Sequence, residues 1–140
     1  MVQLHPAPLI INLKPKTMIP IQIILGLIFI HWIADFVCQT DEQAKGKSTS
    51  WYHLLDHTFY YSLIFGVSTL LYWTFTKSSA IIMLFPLITL ICHTATDFYT
   101  SRVNSMYHKE NKIHEFFVSV GFDQVLHYFQ LILTFYFLTK

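Results

Sequence analysis

The sequence predicts an all-α fold: a four-helix bundle that crosses a membrane up-down-up-down, with His/Asp pairs clustered toward one membrane face. Three observations lead there. Of 140 residues, 54% are hydrophobic and 12% charged, too few charges and too many long apolar runs for the surface of a soluble domain of this size. Four windows, Ile19 to Cys38, Tyr52 to Phe75, Ser79 to Tyr99 and Phe116 to Leu138, meet the requirement of about 20 mostly apolar residues for a spanning helix. Within each window the polar residues gather near one end, whereas an amphipathic helix of a soluble protein carries a polar face along its whole length.

Residues 1–18, with His5, Pro6, Pro8, Lys14 and Pro15, have no small-residue cleavage site after an apolar core and read as an N-terminal extension, not a secretory signal. Met18 is an alternative start. Residues 19–140 form a single four-helix domain, with helices expected over about 19–39, 52–75, 79–102 and 115–139.

His31 and Asp35 lie late in the first helix, and His53, Asp56 and His57 lie in the first turns of the second. His93 and Asp97 lie late in the third helix, and Asp123 and His127 early in the fourth. An up-down-up-down path brings all four sets to one side. Residues 40–51 and 100–115 are polar connections on that side, and Thr76 to Ser78 is a tight turn on the other. Pro86 removes a backbone donor and is expected to kink the third helix below His93.

Orientation is weakly encoded. The His/Asp side carries Lys45, Lys47, Arg102, Lys109 and Lys112, against Lys14, Lys16, Lys77 and Lys140 on the other. A start at Met18 would remove two of the latter and favour a cytoplasmic site. The net charge of +1, with no basic stripe, argues against nucleic acid as a partner. Cys38 and Cys92 fall inside apolar helices and read as small buried hydrophobes.

Side chains four apart share one helix face, about 6 Å apart along the axis. The pairs His31/Asp35, His53/His57, His93/Asp97 and Asp123/His127 can therefore each point two ligand groups at a common centre. Di-iron carboxylate bundles use a related arrangement of Glu and Glu-x-x-His. At 1.5 Å per residue, six of these residues, His31, Asp35, His57, His93, Asp97 and Asp123, fall roughly 6 to 13 Å below the polar boundary, with His53 shallower and His127 deeper.

The alternative is a set of His to Asp hydrogen bonds joining helices. It must offset about 2.5 to 3.5 kcal/mol for each charged Asp near a helix centre with contacts averaging about 0.6 kcal/mol. Protonated or water-exposed Asp would lower that cost, so a structural or proton-relay network stays open.

Imidazole and carboxylate without thiolate suit zinc, iron or manganese, in one or two ions; two ions bridged by Asp would form a hydrolytic centre. Gln39 and Gln124 are placed to orient the ligands, although a Gln near a helix end is also commonly solvated. Arg102 and Lys47 are placed to hold an anionic group of a substrate from the headgroup layer, with interfacial snorkelling as the plainer explanation. Asp56 is either a general base or a residue of an exposed first turn. Tyr60, Tyr61, Tyr72, Trp32, Trp51 and Trp73 read as packing or interfacial residues.

The blocks H-x-x-A-D-F at His31 to Phe36, then Gln39 and Thr40, Leu54, Leu55, His57 and Tyr61, H-x-x-x-D at His93 to Asp97 with Arg102, and D-Q-x-x-H at Asp123 to His127 occur in order along nearly the whole chain. In these the sequence resembles an uncharacterised family of small bacterial and phage integral membrane proteins. The resemblance implies a bacterial inner membrane, or the host membrane for a phage-encoded copy. It marks His31, Asp35, Gln39, His57, His93, Asp97, Arg102, Asp123, Gln124 and His127. His53 and Asp56 lie outside the pattern, and Thr100 stands where a Lys is common. A more distant analogy is to membrane-bound metal-dependent hydrolases.

The function expected is a metal-dependent hydrolase embedded in a lipid bilayer, acting on a lipid headgroup or other small amphiphile; a homo-oligomer is compatible with this. Its rivals are a metal-ion or proton transporter, and a structural or envelope-modifying protein without catalysis. Transport is disfavoured because Ile21 to Leu27, Val67 to Leu71 and Leu131 to Leu138 offer almost no polar steps.

Overall fold

A computed structural model describes residues 18–140, so the expectation for the N-terminal extension lies largely outside the described residues. The described residues are helical and contain no strand. Helix α1 (Ile21–Trp32) continues as a π-helical turn, Ile33–Val37. A short helix α2 (Asp41–Gly46) precedes α3 (Trp51–Thr76). A 3-10 turn (Ala80–Leu84) leads into α4 (Phe85–Lys109), and α5 (Ile113–Thr139) closes the bundle. Two stretches, Ala80–Lys109 and Ile113–Thr139, are long and apolar enough to cross a membrane.

Local chemistry explains the joints. At the α3–α4 turn Lys77 takes a left-handed conformation, φ 53°, closing α3 through its N–H to the Trp73 carbonyl. Pro86 does not kink a continuous helix. It sits in the first turn of α4, after the 3-10 segment, where its missing N–H removes no helical hydrogen bond.

The 40–51 connection is partly ordered as α2. Thr40 and Gln43 cap each other reciprocally: Gln43 N–H donates to Thr40 Oγ1 and Thr40 N–H to Gln43 Oε1, a capping box. The second polar connection is shorter than expected, because helix continues to Lys109 and resumes at Ile113.

The packing follows a four-residue repeat. The buried stripe of α4 is Phe85, Thr89, His93, Asp97 and Ser101, and that of α5 is Asp123, His127, Leu131 and Phe135. In α1 it is Leu27 and His31, continued by Asp35 in the π-turn. Each stripe is apolar at one end and polar at the other. The outward faces are mostly apolar: Phe29, Leu63, Val67, Ile91 and Phe129 are all more than half exposed, whereas the four central His residues are at most 1% exposed.

Candidate metal centre

The π-turn sets the position of Asp35. Cys38 N–H bonds to the Ile33 carbonyl, a five-residue span, so the turn is wider than an α-helical one. Gln39 Nε2 donates to the Asp35 backbone carbonyl at 2.9 Å, satisfying a carbonyl the widened turn leaves free. Gln39 thus reaches the backbone of a candidate ligand and not its carboxylate.

Four atoms from three helical segments converge. His57 Nε2 lies 3.0 Å from Asp35 Oδ1, 3.4 Å from Asp97 Oδ2 and 3.2 Å from His93 Nε2. His93 Nε2 lies 3.6 Å from each of those carboxylate oxygens. Two ring N–H groups at most can satisfy two of these five contacts. A cation bonded to four such atoms at about 2.1 Å would require tetrahedral edges of about 3.4 Å, in the middle of the observed 3.0 to 3.6 Å. The four residues are buried and can hold a metal ion.

Beside this group lies a second. His127 Nδ1–H donates to the Asp123 backbone carbonyl at 2.9 Å, which leaves Nε2 as the lone-pair nitrogen. That nitrogen is buried, has no hydrogen-bond partner among the described residues, and faces Asp97 Oδ1 at 3.4 Å. Asp123 Oδ1 is likewise buried without a partner. In the neutral ring, lone pairs facing each other away from water repel unless a proton or a metal ion lies between them. Asp97, Asp123 and His127 form one such group, and His31, Asp35 and His127 another. Asp97 presents Oδ2 to His57 and Oδ1 to His127, and Asp35 presents Oδ1 to His57 and Oδ2 to His31 at 3.7 Å. Both carboxylates are therefore shared between the two halves of the centre.

Outer contacts hold these rings. Tyr61, a packing residue in the sequence reading, places its hydroxyl 2.7 Å from His31 Nδ1 and stacks its ring on His93 with centroids 3.7 Å apart. With the His31 proton on Nε2, given to Gln124 Oε1, Nδ1 accepts from the Tyr61 hydroxyl; for Nε2 to hold a cation, the proton would move to Nδ1, where the same hydroxyl can accept it. The H-x-x-x-D spacing gives no cue to Tyr61; its one-turn offset from His57, and its place in the same block of the family resemblance, could have. Gln124 accepts from His31 Nε2 at 2.8 Å and donates to Asp123 Oδ2 at 3.0 Å, joining two candidate ligands.

Lys47, at the end of α2, reaches into the centre. Its Nζ donates to Asp97 Oδ2 at 2.9 Å. Burial works against the ammonium charge, but the Asp97 and Asp35 carboxylates outweigh it and hold the group above the usual lysine range.

Three of the singled-out residues are not brought together with the rest. Arg102 lays its guanidinium over the Phe98 ring, 3.7 Å from the centroid, and donates to the Phe98 carbonyl. Asp56 accepts from Gln43 Nε2 at 2.7 Å, tying α2 to α3. His53 packs on Gly46, where an added Cβ would meet the His53 ring at 2.4 Å, so glycine permits the close approach of α2.

Fold and site together define a class: an all-helical protein whose buried His/Asp groups can hold a metal ion. The chain belongs to the DUF3307 family, described as a protein of unknown function, whose model matches residues 23–140. No curated protein and no solved structure matches it.

Proposed function

We propose that this chain is an integral membrane protein of four spanning helices and a metal-dependent hydrolase that acts on a lipid headgroup or small amphiphile at the membrane interface. The inverted distribution of side chains supports the membrane reading. Along α5, Leu131 is fully buried while Phe129, Leu133 and Phe137 face outward, a pattern whose natural solvent is hydrocarbon. The polar ends of the four stripes then share one side, near the headgroups.

The observation that carries the metal reading is that buried His127 Nε2 meets Asp97 Oδ1 at 3.4 Å without a hydrogen bond, beside the unpartnered Asp123 Oδ1. His57, His93, Asp35 and Asp97 would hold one ion. His31, His127 and Asp123, with the second oxygens of Asp35 and Asp97, would hold another. Zinc suits four tetrahedral nitrogen and oxygen donors, and manganese or iron suit the carboxylate-rich half. A pair of such ions supplies Lewis acidity, easing deprotonation of water and neutralising developing negative charge. The Asp123 carbonyl leaves His127 Nε2 free, and His31 would ligate through Nε2 by giving up its bond to Gln124, its proton then lying on Nδ1 against the Tyr61 hydroxyl.

A conduit is disfavoured by the far half of the bundle, where Phe65, Ile82, Phe85, Leu131 and Phe135 form an apolar core and the cavity beside them carries few polar groups, Gln22, Ser68, Thr69 and Tyr72, and no carboxylate or imidazole. Elemental analysis of detergent-purified protein tests the reading. Wild type should carry about two equivalents of zinc, iron or manganese, with His93→Ala losing one and His31→Ala losing the other. A folded wild type without metal would leave the cluster as a polar network between helices.

A further inference from the structure

We propose that the cleft above the metal centre is a binding site for the phosphate group of a phosphate ester, which names the substrate class of the hydrolase reading and rests on it. The cleft has a volume of about 540 Å³ and lies between the end of the π-turn, α2, the last turns of α4 and the first turns of α5. That is the size of a headgroup site, within the usual range of about 300 to 1,000 Å³. Asp35 and Asp123 reach its floor, so it opens directly onto the candidate ligands.

Its walls are rich in donors. Lys45, Lys47, Ser48, Ser101, Asn104 and Ser105 line it. Ser101 is only 7% exposed, and its Oγ has no hydrogen-bond partner among the described residues. A buried hydroxyl without a partner is costly unless something else supplies one. Hydroxyls and an ammonium around one centre suit a tetrahedral oxyanion with several free oxygens. One rim is apolar, with Phe36 and Phe116, and leaves a path for a chain attached to the phosphate.

Charge makes this site conditional on metal. The carboxylates of Asp35, Asp97 and Asp123 against Lys47 leave the floor net negative, and Lys47 is engaged by Asp97 at 2.9 Å. Two divalent cations would reverse the sign of the floor and take over the neutralisation of Asp97, leaving Lys47 free for a phosphoryl oxygen. In hydrolysis, the oxygen of water would bond to phosphorus, the ester P–O bond would break, and a proton from water would end on the departing alcohol.

The test is phosphorus relaxation in detergent-solubilised full-length protein loaded with manganese, using inorganic phosphate and dihexanoyl phosphatidic acid as probes. Bound manganese is measured in every sample. Both probes should show relaxation enhanced several-fold over the metal-free protein. With manganese content unchanged, Lys47→Gln should weaken binding about tenfold and Ser101→Ala about threefold. Tighter binding of the lipid probe would assign a lipid phosphate as the source, and equal binding a soluble one. Full manganese without enhanced relaxation, or unchanged affinity in both variants, overturns the phosphate site and leaves the metal centre standing. Absence of bound manganese overturns both.

Discussion

In α5 one buried stripe carries Asp123 and His127 at one end and Leu131 and Phe135 at the other, and in α4 the same stripe runs from Phe85 to His93, Asp97 and Ser101. The apolar end is joined by ring contacts: Phe65 to Phe85 at 5.7 Å between centroids, Phe85 to Phe135 at 6.1 Å, Tyr72 to Phe135 at 5.3 Å. Each of these can be lost with only a local cavity. The polar end is joined by groups that face one another with too few protons to satisfy them all. Its stability is therefore conditional on what fills it, whereas the apolar end is self-sufficient. Substitution at the polar end should cost bound metal, and substitution at the apolar end should cost stability while leaving the metal in place.

The largest effect is expected at Asp97, whose carboxylate touches Lys47 at 2.9 Å, His57 and His127 at 3.4 Å and His93 at 3.6 Å. Asp97→Asn keeps the shape and removes the charge, and bound metal should fall to near zero by elemental analysis. Asp97→Ala should in addition destabilise the fold by about 3 to 5 kcal/mol, since Lys47 is left buried without its partner. Full metal content in Asp97→Asn would erase the distinction between the two ends.

The reciprocal test is Phe65→Ala, at a position only 1% exposed. Lipid is as apolar as the protein core, so lost packing dominates and a destabilisation of about 3 kcal/mol is expected in a denaturation series. Metal stoichiometry should stay at the wild-type value. A loss of metal here would mean that the two ends fold as a single unit.

The four-residue spacing of His31/Asp35, His93/Asp97 and Asp123/His127 was enough to bring these residues together, because helical periodicity fixes a face regardless of what it packs against. In the second helix it paired His53 with His57, yet only His57 points inward; the partner on its own face is Tyr61, one turn further on. A spacing rule cannot choose between two neighbouring pairs when both ends are polar. The segment between Thr40 and Trp51 read as loop because a six-residue helix held by a capping box is shorter than any periodicity window. Arg102 follows the site in sequence, but one residue of offset on a helix turns a side chain by about 100°, and Phe98 one turn earlier gave it a ring to cover.

Tyr61 lies between the ends, with its hydroxyl on His31 and its ring 5.0 Å from Phe65. Tyr61→Phe keeps the ring and removes the hydrogen bond. Metal affinity should fall about 10- to 100-fold, as for other partners of metal-ligating His, with little change in unfolding. Competition with a chelator of known affinity measures it. An unchanged affinity would place Tyr61 with the apolar end and confine its role to packing.

The smallest effect is expected at Asp56, which sits beside the centre in sequence and outside it in space. Its carboxylate accepts one charge-assisted bond, from Gln43 of α2 at 2.7 Å, and it belongs to none of the candidate metal groups. Asp56→Asn should weaken that tie by about 1 kcal/mol and loosen α2, the helix whose end carries Lys47. Metal content should be unchanged, because no candidate ligand bonds to Asp56. If turnover falls while its pH profile keeps its shape, the loss comes through the position of α2; a profile that loses its acid limb would instead make Asp56 a proton acceptor and extend the polar end past His57 to the first turn of α3.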